Sequence, residues 1–192
     1  MVPQTPEEFF GSYVPARMAA LTDELSGKSS PGSVVVQLEE GSAWCLRIRN
    51  GAFEVAEGDA PDAIVRVSLS RDSFEPLVVR TAERDELAPA PRDRRLSAAR
   101  ALTLDAERGR LIREAAGSVA LVVKDGAREH RVVVTPGARE RGNPACTLRL
   151  GMDELIDLQA GRTQPLQLLM AGQLVIEGDA QIVMALAGAL AG

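Results

Sequence analysis

Side chains able to perform covalent chemistry are sparse in this chain of 192 residues. A hydrolytic or acyl-transfer triad needs a nucleophile, a base and an orienting group, and a single histidine, His130, leaves almost no room for one. Its neighbours Arg128, Glu129 and Arg131 predict an outward-facing strand residue. Cys45 and Cys146 sit far apart, each inside an apolar strand-like run and outside any C-x-x-C or metal-ligand spacing, so buried, reduced thiols are expected. A metal centre would have to be built from carboxylates, and no Asp/Glu spacing reproduces a calcium loop. The paired acids Glu7-Glu8, Glu39-Glu40 and Asp153-Glu154 fall at helix starts or turns, where the helix dipole and hydration favour them. Gly172 and Gly178 lack the lysine and the strand-loop-helix setting of a phosphate loop. No enzyme, metal site or cofactor is therefore expected.

Charge narrows the partners. The net charge is −5, which repels phosphate backbones and anionic lipid surfaces, so no nucleic acid partner is expected and at most transient membrane contact. Arg92, Arg94, Arg95 and Arg100 cluster, but Asp93, Asp105 and Glu107 accompany them and predict a solvated mixed-charge face. Apolar residues make up 45% of the chain, enough for a core without disulfides. The opening Met-Val-Pro-Gln-Thr-Pro-Glu-Glu has neither a basic n-region nor an apolar h-region, and the expected location is cytoplasmic.

The elements that would position any site begin with a helix. Thr5, Pro6 and Glu8 supply an N-cap, a first-turn proline and a capping acid, and Phe10, Val14, Met18, Leu21 and Leu25 form one stripe ending before Gly27, with Pro15 as a possible kink. Short apolar runs follow at Val34 to Leu38, Trp44 to Ile48, Phe53 to Val55 and Ile64 to Leu69. Glu40-Gly41 and Asn50-Gly51 between them predict an antiparallel meander. Ser70 and Asp72 start a second helix over Phe74 to Val79. Ala88-Pro89-Ala90-Pro91 cannot continue it, and residues 81 to 95 are expected to be an exposed connection.

The pattern recurs. Gly117-Ser118-Val119 echoes Gly32-Ser33-Val34, Val132 to Val134 matches the Trp44 strand, Thr147 to Leu150 matches the Ile64 strand, and Met152 to Leu155 matches the helix start at Arg71. Two units are expected, 1–117 and 118–192, able to pack as one compact domain. A weaker echo relates Ala101 to Asp105 to the strand Gln173 to Glu177. On that reading residues 93 to 116 are a strand plus a helix; the rival reading makes them one long helix, against which Thr103 and Gly109 argue.

The segment from Leu155 to Gly161, then Pro165-Leu166-Gln167-Leu168-Leu169-Met170-Ala171-Gly172-Gln173-Leu174-Val175-Ile176-Glu177-Gly178-Asp179, resembles the closing motif of the sterol carrier protein 2 domain family. That motif has a short helix ending in glycine, a proline-led apolar helix, a glycine-led edge strand, and a Gly-Asp turn into the final helix. The opening amphipathic helix, the tryptophan strand Ser42 to Leu46 and the acid-alanine entry Asp62-Ala63 resemble the family's other half. The two halves lie further apart than one such domain requires, which leaves open two copies or one domain with an insertion.

The resemblance implies an α+β fold, an antiparallel, mixed-edge sheet covered on one face by helices, internally repeated or expanded. It also implies a non-enzymatic carrier of a fatty acyl, sterol-like or isoprenoid lipid. Carried over position by position, the cavity walls would be Trp44, Leu46 and Ile48, then Ile64 and Val67, then Leu174 and Ile176, with Leu155 and Leu158 beside them. The lid would be Leu166, Leu169 and Met170, closed by Ile182, Met184 and Leu186 of the last helix. Gln164, Gln167 or Gln173 would meet a polar head. Read from the residues alone, these apolar segments favour ordinary core packing over a ligand wall, and the resemblance reverses that preference; the alternative is a structural or interaction domain with a collapsed cavity, monomeric or a homodimer.

Overall fold

The computed structural model describes residues 1–87, 102–137 and 142–190. Alternation of apolar and polar side chains along the short runs puts one side of every strand into a common core. The strands are β1 (Ser33–Leu38), β2 (Ala43–Arg49), β3 (Ala52–Glu57), β4 (Ala63–Leu69), β5 (Val119–Asp125), β6 (Arg128–Pro136), β7 (Cys146–Gly151) and β8 (Val175–Gly178). They form one open sheet in the order β3-β2-β1-β4-β6-β5-β7-β8. The chain turns at the predicted hairpins. Asn50 and Gly51 both take positive φ, 52° and 81°, as a tight Asn-Gly turn demands, and Gly126 does so between β5 and β6.

Helix α1 follows the Thr5 cap, whose hydroxyl accepts from the Glu8 N–H. It runs as an α-turn at Pro6–Glu8, a π-helical stretch at Phe9–Tyr13 and an α-helix at Val14–Ala19, with the short α2 at Thr22–Leu25. The stripe predicted one helix to Gly27; the structure divides it. Pro15 has no N–H, and the wider π turn before it, closed by Val14 N–H to the Phe9 carbonyl, moves backbone away from the proline ring. Helix α3 repeats the device, with Arg71–Phe74, a π stretch at Glu75–Val79 containing Pro76, and Arg80–Leu87. Ser70 caps it as expected, accepting from Ser73 N–H. Residues 81–87 are thus helical, not the predicted connection; the rest of that stretch and the arginine cluster lie outside the described residues.

The remaining helices are α4 (Ala106–Glu114), α5 (Met152–Gln159), α6 (Pro165–Met170) and α7 (Ala180–Leu190). Asp105, extended at ψ 166°, accepts from Arg108 N–H and starts α4. One long helix through residue 105 is therefore excluded, and Leu102 to Asp105 form no strand either. Gly109 lies inside α4 because a side chain there would collide with Pro31.

The predicted meander is corrected at its fourth strand. β4 does not extend it beside β3; it crosses over and pairs parallel with β1, Val34 to Val65 and Val36 to Val67. In β7 the same crossover recurs, pairing parallel with β5. Two neighbouring windows of five strands, β3-β2-β1-β4-β6 and β4-β6-β5-β7-β8, each read antiparallel, antiparallel, parallel, antiparallel. They overlap in β4 and β6. The position next to β4, where the weaker echo would place a strand from residues 101–105, is filled by β6.

Close backbone approach explains the repeated Gly-Ser pair. A Cβ on Gly32 would lie 2.3 Å from the Asp62 carbonyl, and one on Gly117, at φ 91°, would lie 2.8 Å from the Ala145 side chain. Each glycine lets the start of a central strand pack against the start of its parallel partner.

Register places the apolar residues of all the described helices on one face. Val36 stands opposite Trp44 and Val67, Val67 opposite Val134, Leu121 opposite Val132 and Leu148, and Leu148 opposite Ile176. These strand residues pack with α1, α2, α3, α4, α5, α6 and α7. On the other face Arg66 is buried and its guanidinium grips Asp59 through both carboxylate oxygens at 2.7 and 2.9 Å and Gln37 at 3.1 Å. Burial opposes ionisation of Asp59, but the Arg66 bonds and the Ala60 N–H together hold its carboxyl below the usual range.

Because that pKa is depressed, the Asp59–Arg66 contribution is complete above about pH 4, the ordinary carboxylate value, and is lost as pH falls through the lower folded value. Asp59 is mostly exposed, so Asp59→Asn should cost about 1 kcal/mol at neutral pH after screening, and the deficit should shrink in acid. Urea melts across pH check this. A fragment starting at residue 102 removes β4 and strips β6 of its β4 partner along Val132 to Pro136, leaving it paired with β5 alone; calorimetry should show no cooperative transition, where the full chain shows one.

Candidate functional site

The helical layer has two chemically different halves. Over β1, β2 and β3, Phe10 stacks on Trp44 at 4.9 Å between ring centroids, Phe9 meets Phe74 edge-on at 5.4 Å, and Tyr13 and Phe53 pack around them. These are all the aromatic residues the chain possesses: four Phe, one Trp and one Tyr. The Phe10 and Trp44 rings are almost wholly buried, and Leu46 and Ile48 belong to the same cluster. Flat rings in contact fill space densely and make stronger pairs than their area alone provides.

Over β5, β7 and β8 the layer is aliphatic. Val123, Leu150, Met152, Leu168 and Leu174 are buried together, with Leu155 and Leu158 half-buried against them. Nearer the other end of the sheet, Ile182 and Leu186 of α7 meet Val119, Cys146 and Ile176, and Leu186 also touches the group of Val67, Leu104 and Ile112. Ile64 is fully buried beside Gly32 and Gly109. Of the predicted lid, Leu166, Leu169 and Met170 are 64%, 42% and 82% exposed, and Met184 is 72% exposed. Leu168, inside the predicted lid run from Leu166 to Met170 but not singled out as a lining residue, is the α6 side chain that is buried; neighbouring leucines give no signal for which one turns inward until the Pro165 start fixes the helix phase.

Local geometry holds α6 and α7 firmly at their N-termini. Gln167 reaches back so that its carbonyl accepts from the Gln164 N–H at 3.0 Å and the Thr163 hydroxyl at 3.2 Å, which commits that oxygen to capping. Gly178, at φ 93°, leaves no room for a Cβ beside the Ala145 carbonyl, and Asp179 then accepts from the Gln181 N–H at 2.9 Å. Cys146 lies beneath this turn. Burial, and secondarily the Asp179 charge, pushes its thiol above the ordinary value, against any nucleophilic role.

Clefts indent the described surface at several places, three of them near the elements above. One of about 380 Å³ lies between the end of α1 and the Asn50-Gly51 turn, lined by Met18, Leu25 and Phe53. A polar one of about 730 Å³ is lined by Ser70, Arg71, Ser73, Glu75, Arg128 and His130. His130 is only 7% exposed, correcting the outward placement: it falls in register with Val123 on the helix-covered side of β6. The third, about 430 Å³, gathers Val122, Lys124, Glu129, Arg149, Leu150, Gly151 and Gln173. None of the three is lined by the lid residues of α6. No cluster of three or more His, Cys, Asp or Glu placed to hold a metal occurs among the described residues, and none of their helices is long and apolar enough to cross a membrane.

The part of the chain holding the aliphatic layer is also the part that a family model recognises. Residues 98–191 match the SCP-2 sterol transfer family. The similarity spans the proline-led α6, the β8 edge and α7, the motif on which the resemblance was drawn. Among solved structures, the chain is similar to sterol carrier protein 2 like 2 of Aedes aegypti, with 17% identity over 62% of this chain and 96% of that one, TM-score 0.35. It is also similar to apo sterol carrier protein 2 of Yarrowia lipolytica, with 19% identity over 59% and 95%, TM-score 0.35. A ubiquinone synthesis protein, UbiJ-SCP2, aligns at 22% identity over 62% and 96%, TM-score 0.31. The likeness to the family rests on the sequence match over residues 98–191 and not on these overlays. No curated protein matches the chain.

Two substitutions separate the filled half from the open one. Phe10→Ala removes a ring stacked in a closed cluster and should cost about 3–5 kcal/mol. Met170→Ala, on an exposed helix face, should change stability by less than about 0.5 kcal/mol. Denaturant titration of both variants measures the contrast.

Proposed function

We propose that the protein binds a hydrophobic, lipid-like molecule against the aliphatic half of its helical layer and carries it without chemical change. The observation that supports this reading best is the exposure of Leu166, Leu169, Met170 and Met184 on α6 and α7, within the segment that matches the sterol transfer family. An apolar helix with one buried side chain is under-used as a core element and is suited to lie over a guest. Met170 and Met184 add adaptability, since unbranched thioethers repack easily.

The residues of the proposed wall are Leu155, Leu158, Leu174, Ile176, Ile182 and Leu186, with Leu166, Leu169, Met170 and Met184 as the movable cover. Ile64 and Val67 flank it from the neighbouring strand. Trp44, Leu46 and Ile48, first placed in the wall from the resemblance, are committed to the aromatic cluster, so a single site is proposed. The driving force is sufficient without polar contacts: about 0.8 kcal/mol per buried methylene gives roughly 10 kcal/mol for a twelve-carbon chain, less several kcal/mol for ordering it.

A scaffolding role is the competing reading, favoured by the solid aromatic packing of the other half. In that case two copies would cover the exposed α6 and α7 residues. Organic extraction of the purified protein followed by mass spectrometry should return a fatty acyl, sterol-like or isoprenoid compound, and added ligand should raise the melting temperature. A chain that carries and binds nothing apolar, and that elutes as a dimer disrupted by Met170→Asp, would replace carriage with scaffolding.

A further inference from the structure

The polar cleft of about 730 Å³ lies between the first turn of α3 and the start of β6. Two of the polar side chains lining it are nevertheless buried, Ser73 at 4% and His130 at 7% exposure. Buried polar groups are normally paired. Among the described residues, however, no hydrogen bond or ion pair engages the His130 ring. The one buried side-chain polar atom sealed off without a partner among them is Thr135 Oγ1. The His130 nitrogens are therefore not closed in the core; they open into the cleft.

The serines beside it also have a hydrogen to give. Ser70 Oγ accepts from the Ser73 N–H at 3.2 Å, Ser73 Oγ accepts from the Arg131 N–H at 3.3 Å, and the two hydroxyls lie 3.0 Å apart. One hydroxyl hydrogen is used between them, so the other remains available. The charges around the mouth divide into engaged and free. Arg71 holds Glu7, Glu75 holds Arg80 at 3.0 Å, and Glu129 meets Arg149 at 3.7 Å. Arg128 and Asp72 line the cleft with no ion-pair partner among the described residues.

We propose that this cleft binds a phosphate group, free or at the end of a small soluble ester, with Arg128, the His130 ring and one serine hydroxyl as its donors. The donors come from two elements that face each other across the cleft. A carboxylate offers two oxygens in one plane, whereas the oxygens of a tetrahedral phosphate can meet donors on several sides at once. The guanidinium fork of Arg128 fits two of them, and the hydroxyl and imidazole are left for the others. Asp72 opposes the charge of any anion here and keeps the affinity modest. This inference stands apart from lipid carriage, because none of these residues belongs to the proposed wall or its cover.

His130 is the only histidine in the chain, so its ring proton resonances identify themselves and report on the site directly. The full chain is titrated with inorganic phosphate, with glycerol 3-phosphate and with acetate, at constant pH and ionic strength. Phosphate should move the His130 signals saturably, with a dissociation constant on the order of 1 mM, and acetate should bind at least about tenfold more weakly. Arg128→Gln should weaken phosphate binding about fivefold, and Asp72→Asn should tighten it about threefold. Both changes are at exposed positions, and circular dichroism confirms that each variant keeps its fold. A response to glycerol 3-phosphate matching that to the free ion supports an ester ligand, and a response to inorganic phosphate alone supports the free ion. No saturable shift with either by about 20 mM, acetate as effective as phosphate, or an unchanged curve in Arg128→Gln overturns the proposal.

Discussion

The antiparallel contact between β4 and β6 is the constraint on which the molecule depends. Leu69 against Val132, Val67 against Val134 and Val65 against Pro136 join strands from the two halves of the chain into one ladder. Each half supplies the other with an edge it lacks: β6 closes the window begun by β3, and β4 closes the window ended by β8. An exposed edge is a row of unpaired donors and acceptors. Sharing two strands satisfies both edges at once and lets eight strands carry two five-stranded patterns. The Gly32 and Gly117 approaches then set the spacing of the parallel crossovers on either side.

Within this shared frame the two halves of the helical layer have different packing chemistry. Every aromatic ring lies toward β1, β2 and β3, where stacking and edge contacts close the space. Leucine, valine, isoleucine and methionine occupy the other end, where α6 buries one residue and exposes three large ones. Rigid rings specify a single arrangement; flexible aliphatic chains permit several. The duplication of backbone pattern is therefore accompanied by a division of labour in the side chains.

Much of the frame was legible in the residues. Asn50-Gly51, the Ser70 and Asp105 caps, the Gly-Ser echo and the Pro165 and Gly178-Asp179 signals are local, and local chemistry fixes them. What escaped depends on distant partners. Crossing of β4 to β1 cannot be read from hairpin signals, which say where the chain turns and not which strand it next meets. His130 sits among charged sequence neighbours, yet its strand parity matches Val132 and Val134, which are half-buried against the helical layer, and parity outranked composition. The aromatic clustering was visible as a list of residues before position 75, but its meaning, a filled half opposite an unfilled one, needed the register.

Shared strands also determine how the molecule can yield. A protein of two separate lobes opens by swinging them about a connecting segment, and the pivot absorbs the motion. Here the halves are stitched along β4 and β6, so such a swing would have to break ladder hydrogen bonds in mid-sheet. Accommodation of anything new must fall to pieces outside the ladder, and α6 is the smallest of these near the aliphatic end: six residues, a capped start and one anchoring leucine. The sheet is an anvil, and the helix at its margin is the part free to give.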